Sequence, residues 1–174
     1  VPLSAEGFAQ IPEVVGRLKE KHKDVKAVYS SSLERASILA TAIAHEYGLT
    51  VTKLPELRSW DYGVLNGRRV SDVLDVLGTL STGAGRDLAP KAGESMNDFL
   101  ERYTKALSDI IYHAPEEGVV LVVTHLQNIM MGGSWLKQGL PDVHDFAYEY
   151  SETNEIPPGS TLEFHREWTN GVHS

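Results

Sequence analysis

Residues 29–36 read Tyr29-Ser30-Ser31-Ser32-Leu33-Glu34-Arg35-Ala36 and join a short apolar run to a long periodic one. Before them, Val25 to Val28 has the composition of a strand. After them, Leu33, Ala36, Leu39, Ala40, Ile43, Ala44 and Tyr47 recur at i, i+3, i+4, the spacing of an amphipathic helix, and Gly48 supplies its stop. Ser31 and Glu34 fit the S-x-x-E capping box, which predicts a locally fixed helix start. A helix N-terminus offers unpaired N–H groups and the positive end of a dipole, and Arg35 in the first turn adds a planar fork suited to phosphate oxygens. This stretch alone reads equally as half of a phosphate site or as a well-capped helix.

The bulk properties narrow the field. The 174 residues are 41% hydrophobic and 23% charged, enough for one domain, 1–174, with a substantial core. A formal net charge of −8 opposes nonspecific binding to nucleic acid or acidic membrane, so an anionic ligand needs a local positive cluster. The absence of cysteine excludes disulfides, thiolate metal sites and a cysteine nucleophile, and suits the cytoplasm. No apolar run approaches the roughly 20 residues that span a bilayer.

Outward from the opening stretch, residues 4–21 carry Phe8, Ile11, Val14, Val15 and Leu18 at helical spacing, with Ser4 as N-cap. Pro12 predicts a kink or a fresh start there. Thr50 to Leu54 is a second short strand. Glu56 to Gly67 lacks a period and mixes charges, aromatics and glycines, which reads equally as an ordered loop lining a cleft or as a structural loop whose Trp60 and Tyr62 plug the core. Val70 to Leu77 reads as a short helix. Gly78 to Gly93, rich in small residues, reads as a mobile surface segment or lid. Asn97 to His113 is a second long helix, capped by Ser95 and Asp98 and closed by Pro115.

Val119 to Val123 is a continuous aliphatic run followed by Thr124 and His125. Strands buried on both faces read this way and belong to parallel sheets covered by helices. Ligands of such sheets bind at the carboxyl ends of strands, where His125 and the Tyr29 to Ala36 stretch both fall. Gln127 to Lys137 should be helical, Pro141 to Tyr150 a further short helix, Pro157 to Gly159 a turn, and Thr161 to His165 an edge strand.

Five separated pieces, in order, are similar to motifs of the histidine phosphatase superfamily, in its phosphoglycerate mutase-like branch. Pro2 to Gln10 resembles P-L-[ST]-x-x-G-x-x-Q, and Tyr29 to Ala36 resembles Y-S-S-x-L-x-R-A. Leu57 to Gly67 resembles L-R-E-x-x-x-G-x-x-x-G, Gly93-Glu94-Ser95 matches G-E-S, and Val122 to His125 resembles V-V-[ST]-H-G. The resemblance implies a three-layer α/β/α sandwich with a mostly parallel sheet and phosphoryl transfer through a phosphohistidine, with no metal and no cofactor. It implies that Arg35 clamps the phosphate and that a protonated His125 is the second histidine, with Asp61 as the nearest substitute for the acid. Ser31, Ser59 and Thr124 are the accompanying substrate-binding candidates. The implied partner is a phosphorylated small molecule or phosphoprotein, without nucleic acid or membrane, and a homodimer is allowed.

The chain departs from the pattern at three places. It contains no R-H-G, the motif that carries the family's nucleophile, so the nucleophile and first strand are expected outside the 174 residues. Ser59 stands at the acid glutamate. Leu126 stands at the glycine after the second histidine and is expected to crowd the pocket. His22, His45, His113 and His165 lie on predicted helices or the edge strand and are not nucleophile candidates. Two functions follow: a phosphatase or mutase-like enzyme completed by a further segment, with phosphatase favoured by the short chain, or a non-catalytic relative that binds phosphorylated ligands or a protein.

Overall fold

The computed structural model describes residues 2–148 and 157–165. Helix α1 (Ala5–Lys21) leads into strand β1 (Val25–Ser31), and α2 (Glu34–Glu46) leads into β2 (Val51–Leu54). Two 3-10 turns, Pro55–Leu57 and Gly63–Leu65, then precede α3 (Val70–Leu80). A third, Gly83–Asp87, precedes α4 (Met96–His113), and β3 (Val119–Val123) and α5 (Leu126–Lys137) follow.

The three strands form one parallel sheet in the order β2-β1-β3. Successive side chains point to opposite faces of a strand, and each face here has its own helical layer. Val25 and Val28 pack with Val14 and Leu18 of α1 and Ala40, Ile43 and Ala44 of α2, and Val119, Leu121 and Val123 join that cluster. On the other face, Tyr29, Val120 and Val122 pack against a larger core holding Phe99, Leu100, Tyr103, Leu107, Met131 and Trp135 from α4 and α5. This is the three-layer α/β arrangement that the strand composition predicts.

All five residues of β3 remain partly exposed although both faces pack against helices. The reason is position: β3 pairs with β1 on one side and is the outer strand among the described residues. An apolar outer strand without proline or charge is a ready template for a further strand.

Local signals set most helix ends. Ser4 Oγ accepts from Gly7 N at 3.1 Å. Ser95 and Asp98 form the predicted reciprocal capping box, with Asp98 N to Ser95 Oγ at 3.0 Å. After α2, Gly48 adopts φ 65°, Gly48 N donates to His45 O and Leu49 N to Ala44 O, the paired bonds of a Schellman stop. Pro12 does not restart α1, which runs through it as one element.

Three expectations are corrected. The Ser31–Glu34 capping box does not form, because β1 extends to Ser31 and Leu33 becomes the N-cap of α2. Gly78 to Gly93 holds more regular structure than its composition suggests: α3 extends to Leu80, a 3-10 turn occupies 83–87, and Arg86 ties it down. Arg86 Nε donates to Asn97 Oδ1 at 3.0 Å, and its terminal nitrogens donate to the carbonyls of Phe146 and Val143 at 2.6 and 2.8 Å. Those bonds also explain why residues 141–148 form turns instead of a helix, since the backbone carbonyls serve Arg86. Glu149 and Tyr150 lie outside the described residues. Finally, Thr161 to His165 forms no strand. Its side chains are spent on helices, with Glu163 bonded to Lys21 and His22 and with Leu162 and Phe164 against Gly133 of α5.

Candidate active site

Because β1 and β3 are neighbours and parallel, their carboxyl ends lie side by side, and each feeds a helix. Two helix N-termini therefore converge on one edge of the sheet. Leu33 N is taken by Ser31 Oγ at 3.2 Å and Ala36 N by Leu33 O at 3.0 Å. The Glu34 and Arg35 amides stay outside the α2 ladder, as the Leu126 and Gln127 amides stay outside that of α5. Such groups, with the dipoles behind them, favour an anion.

Arg35 projects from the first turn of α2, is partly exposed, and has no carboxylate within salt-bridge distance among the described residues. His125 is the N-cap of α5, and its Nε2 lies 2.8 Å from Ser31 Oγ. Burial, then the positive charges of Arg35 and Arg102, push the His125 pKa down to about 4. With two cations beside it and much of its water removed, the ring without a bound anion favours the neutral form at pH 7. Leu126, expected to crowd the pocket, is 48% exposed at the first position of α5.

The loop after β2 is held by struts that sequence reasoning did not find. Arg102 NH1 donates to the carbonyls of Glu56 and Arg58 at 2.7 and 3.0 Å, and its NH2 to Ser59 O at 3.0 Å. Arg102 also binds Glu94, Nε to Oε2 at 2.9 Å and NH2 to Oε1 at 2.5 Å. Glu94 Oε1 accepts from Asp61 N at 2.9 Å, while its backbone carbonyl accepts from Trp60 Nε1 at 3.0 Å. From the other side, Asn128 Nδ2 donates to Leu57 O and Arg58 O at 3.2 and 3.0 Å. Glu94 stood out in the G-E-S motif, but the partner that gives it a role is eight residues away, on α4.

Thr124 points its hydroxyl at Leu57 O, 2.7 Å away, so it anchors the same loop. Ser59 lies in that loop, partly buried, with its carbonyl on Arg102. Asp61 Oδ1 accepts from Gly63 N at 2.9 Å and from Asn66 Nδ2 at 2.7 Å, and these bonds, before the nearby arginines, lower its pKa. A carboxylate whose ionised form is favoured in this way gives up its proton more readily and holds it less well at neutral pH. That preference for the ionised form works against the acid role expected of Asp61. Gly63, at φ 56°, must be glycine, since a Cβ would lie 2.1 Å from Lys91 O.

Among the described residues, two buried polar atoms near the start of α5, Gln127 Nε2 and Asn128 Oδ1, have no hydrogen-bond partner. Gln127 is fixed at its other end by Tyr62, whose hydroxyl donates to Oε1 at 2.7 Å. Among the described residues no helix is long and apolar enough to cross a membrane.

The chain belongs to the histidine phosphatase superfamily (branch 1), which it matches over residues 1–164. It is 32% identical over 128 residues to a probable phosphoglycerate mutase, GpmB, of Enterobacter sp. (strain 638), covering 71% of this chain and 58% of that protein. The chain therefore spans less than two thirds of the length of that curated relative. Its fold is similar to that of a mycobacterial glucosyl-3-phosphoglycerate phosphatase, with TM-score 0.64 and 22% identity over 83% of this chain and 72% of the other. It is also similar to that of the alpha-ribazole phosphatase of Shigella flexneri, with TM-score 0.59 and 23% identity over 81% and 69%.

Proposed function

We propose that this chain forms the anion-binding half of a phosphoryl-transfer site that acts on phosphomonoesters through a phosphohistidine. The observation that carries the reading is the convergence of the α2 and α5 N-termini with Arg35 and His125 at adjoining strand ends. Phosphoryl transfer needs chiefly positioning and neutralisation of the equatorial oxygens. Arg35 and the free amides of α2 supply charge and donors on one side, and His125 with the amides of α5 supplies donors on the other. Ser31 acts through His125, Thr124 sets the height of the Leu57 to Ser59 loop, and Ser59 lies at the substrate's leaving-group side.

The nucleophile belongs to a segment outside residues 1–174, and the outer edge of β3 is its place. A parallel strand added there would bring its carboxyl end beside His125. Gln127 Nε2 and Asn128 Oδ1 give such a segment one donor and one acceptor that are buried and unpaired among the described residues. In the reaction, a neutral histidine nitrogen attacks phosphorus, the P–O bond to the leaving group breaks, and the departing alkoxide takes a proton from solvent water. Water then attacks the phosphohistidine, releasing phosphate, or an acceptor hydroxyl takes the phosphoryl group.

A second reading is favoured by one feature. Ser59 occupies the acid position and Asp61 is held ionised, the arrangement of a relative that binds phosphorylated ligands without turnover. Brief incubation of the full-length protein with p-nitrophenyl phosphate or 3-phosphoglycerate, followed by an alkaline quench, separates the readings. A base-stable, acid-labile phosphoenzyme supports transfer; saturable ligand binding without one supports the second reading. The product formed from 3-phosphoglycerate distinguishes mutase from phosphatase.

A further inference from the structure

We infer that Ser31 selects the tautomer of His125: the serine hydroxyl donates to Nε2, so the ring carries its proton on Nδ1 and keeps Nδ1–H as its free donor. The inference follows from counting one oxygen's bonds. A serine hydroxyl has one hydrogen to give and two lone pairs to offer. Ser31 Oγ already accepts from Leu33 N at 3.2 Å, and its residue is 0% exposed. The other nearby hydroxyl, Ser30 Oγ, is spent as a donor to the Ser31 carbonyl at 2.8 Å. Among the described residues the acceptor within reach of the Ser31 hydrogen is His125 Nε2, at 2.8 Å.

The opposite tautomer carries a penalty. With the proton on Nε2, Ser31 Oγ would accept two N–H bonds and its own hydrogen would be left buried without an acceptor. A buried unsatisfied group costs enough to bias the tautomer ratio by roughly tenfold or more. The charged groups that act on the ring are Arg35 from α2 and Arg102 from α4, both cationic, and with burial they keep it neutral. In a neutral imidazole, the partner of one nitrogen decides the proton on the other.

The tautomer stands on the Ser31 geometry alone, whereas its use rests on the anion-binding reading above. A phosphoryl oxygen beside Arg35 would then receive a hydrogen bond from Nδ1–H without prior protonation of the ring. Ser31 is in this sense a positioning residue, touching the histidine and not the substrate.

The test is long-range proton–nitrogen NMR on the full-length protein labelled at histidine nitrogen, at pH 7, with His125 assigned by the loss of its signals in His125→Gln. The expected spectrum places Nδ1 at the protonated position and Nε2 at the unprotonated one. Ser31→Thr should keep that pattern, and Ser31→Ala should move the proton to Nε2 or yield a mixture. A wild-type ring protonated at Nε2 overturns the inference, as does a folded Ser31→Ala whose pattern is unchanged. If Ser31→Ala does not fold, the wild-type and threonine spectra still decide. Inorganic sulfate added to the same sample tests the other half: a saturable shift at Nδ1 supports the anion role. The predicted tautomer with no sulfate response would retain the inference and count against the proposed site.

Discussion

Ser31 Oγ and His125 Nε2 meet at 2.8 Å although 94 residues separate them in sequence. The contact joins the carboxyl ends of β1 and β3 and fixes the one ring in the site whose charge is set by its surroundings. A histidine with its pKa near 4 when folded and 6.5 when unfolded takes up fewer protons in the folded state between those values. Stability should therefore rise with pH across that window and be fully present above about 6.5. The slope is at most about 1.4 kcal/mol per pH unit, reduced by the partial exposure of the ring. Urea unfolding from pH 4 to 7 should show this dependence weakened in His125→Gln, and equal slopes would argue against a buried neutral ring.

Anion affinity should run the other way. A dianion beside His125 raises the ring's pKa, so binding takes up protons between the free-ring value of about 4 and the raised value of the complex. Sulfate, whose own charge is constant from about pH 5 to 8, should bind more tightly as pH falls from 7 toward 5. Calorimetry in buffers of different ionisation enthalpy would detect the proton uptake. A pH-independent affinity would mean that the anion does not sit against His125.

Arg102→Ala should cost about 2–4 kcal/mol, because it strands the Glu94 carboxylate and takes the donor from the Glu56 and Ser59 carbonyls, while Arg58 O keeps Asn128. Lysine lacks the fork that spans these groups, so Arg102→Lys should recover little of the loss. Chemical denaturation of both variants checks this, and full rescue by lysine would show that charge alone matters.

Much of the fold was legible because it depends on short-range patterns. The helical period after Ser32, the glycine stop at Gly48, the Ser95 and Asp98 cap and the aliphatic run of β3 all carry their structure within a few residues. The misreadings came where a distant side chain decided the outcome. Arg86 turned a small-residue stretch into an ordered wall, and the histidine 94 residues away accompanies Ser31 as a strand end instead of a cap. In the site, Arg35 and His125 were readable from strand-end position and family resemblance. Arg102 and Asn128 were not, because their roles consist of bonds to backbone carbonyls, which leave no trace in residue type.

The same wall gives a prediction. Arg86→Ala should free residues 83–87 and 141–148 together, since three of its nitrogens hold Asn97, Val143 and Phe146. Hydrogen exchange should accelerate in both segments by about tenfold or more, which corresponds to about 1.4 kcal/mol of lost local stability. Faster exchange confined to one segment would show that they are not coupled through Arg86.

The central claim is that Arg35 and His125 bind a phosphoryl group between two helix N-termini, and vanadate titration of the full-length protein and its Arg35→Ala variant tests it most directly. Saturable binding in the parent that weakens by at least about 100-fold in the variant, with unchanged folding stability, is the result predicted from the loss of a charge-assisted bidentate contact. Equal vanadate affinity in the two proteins would contradict the account.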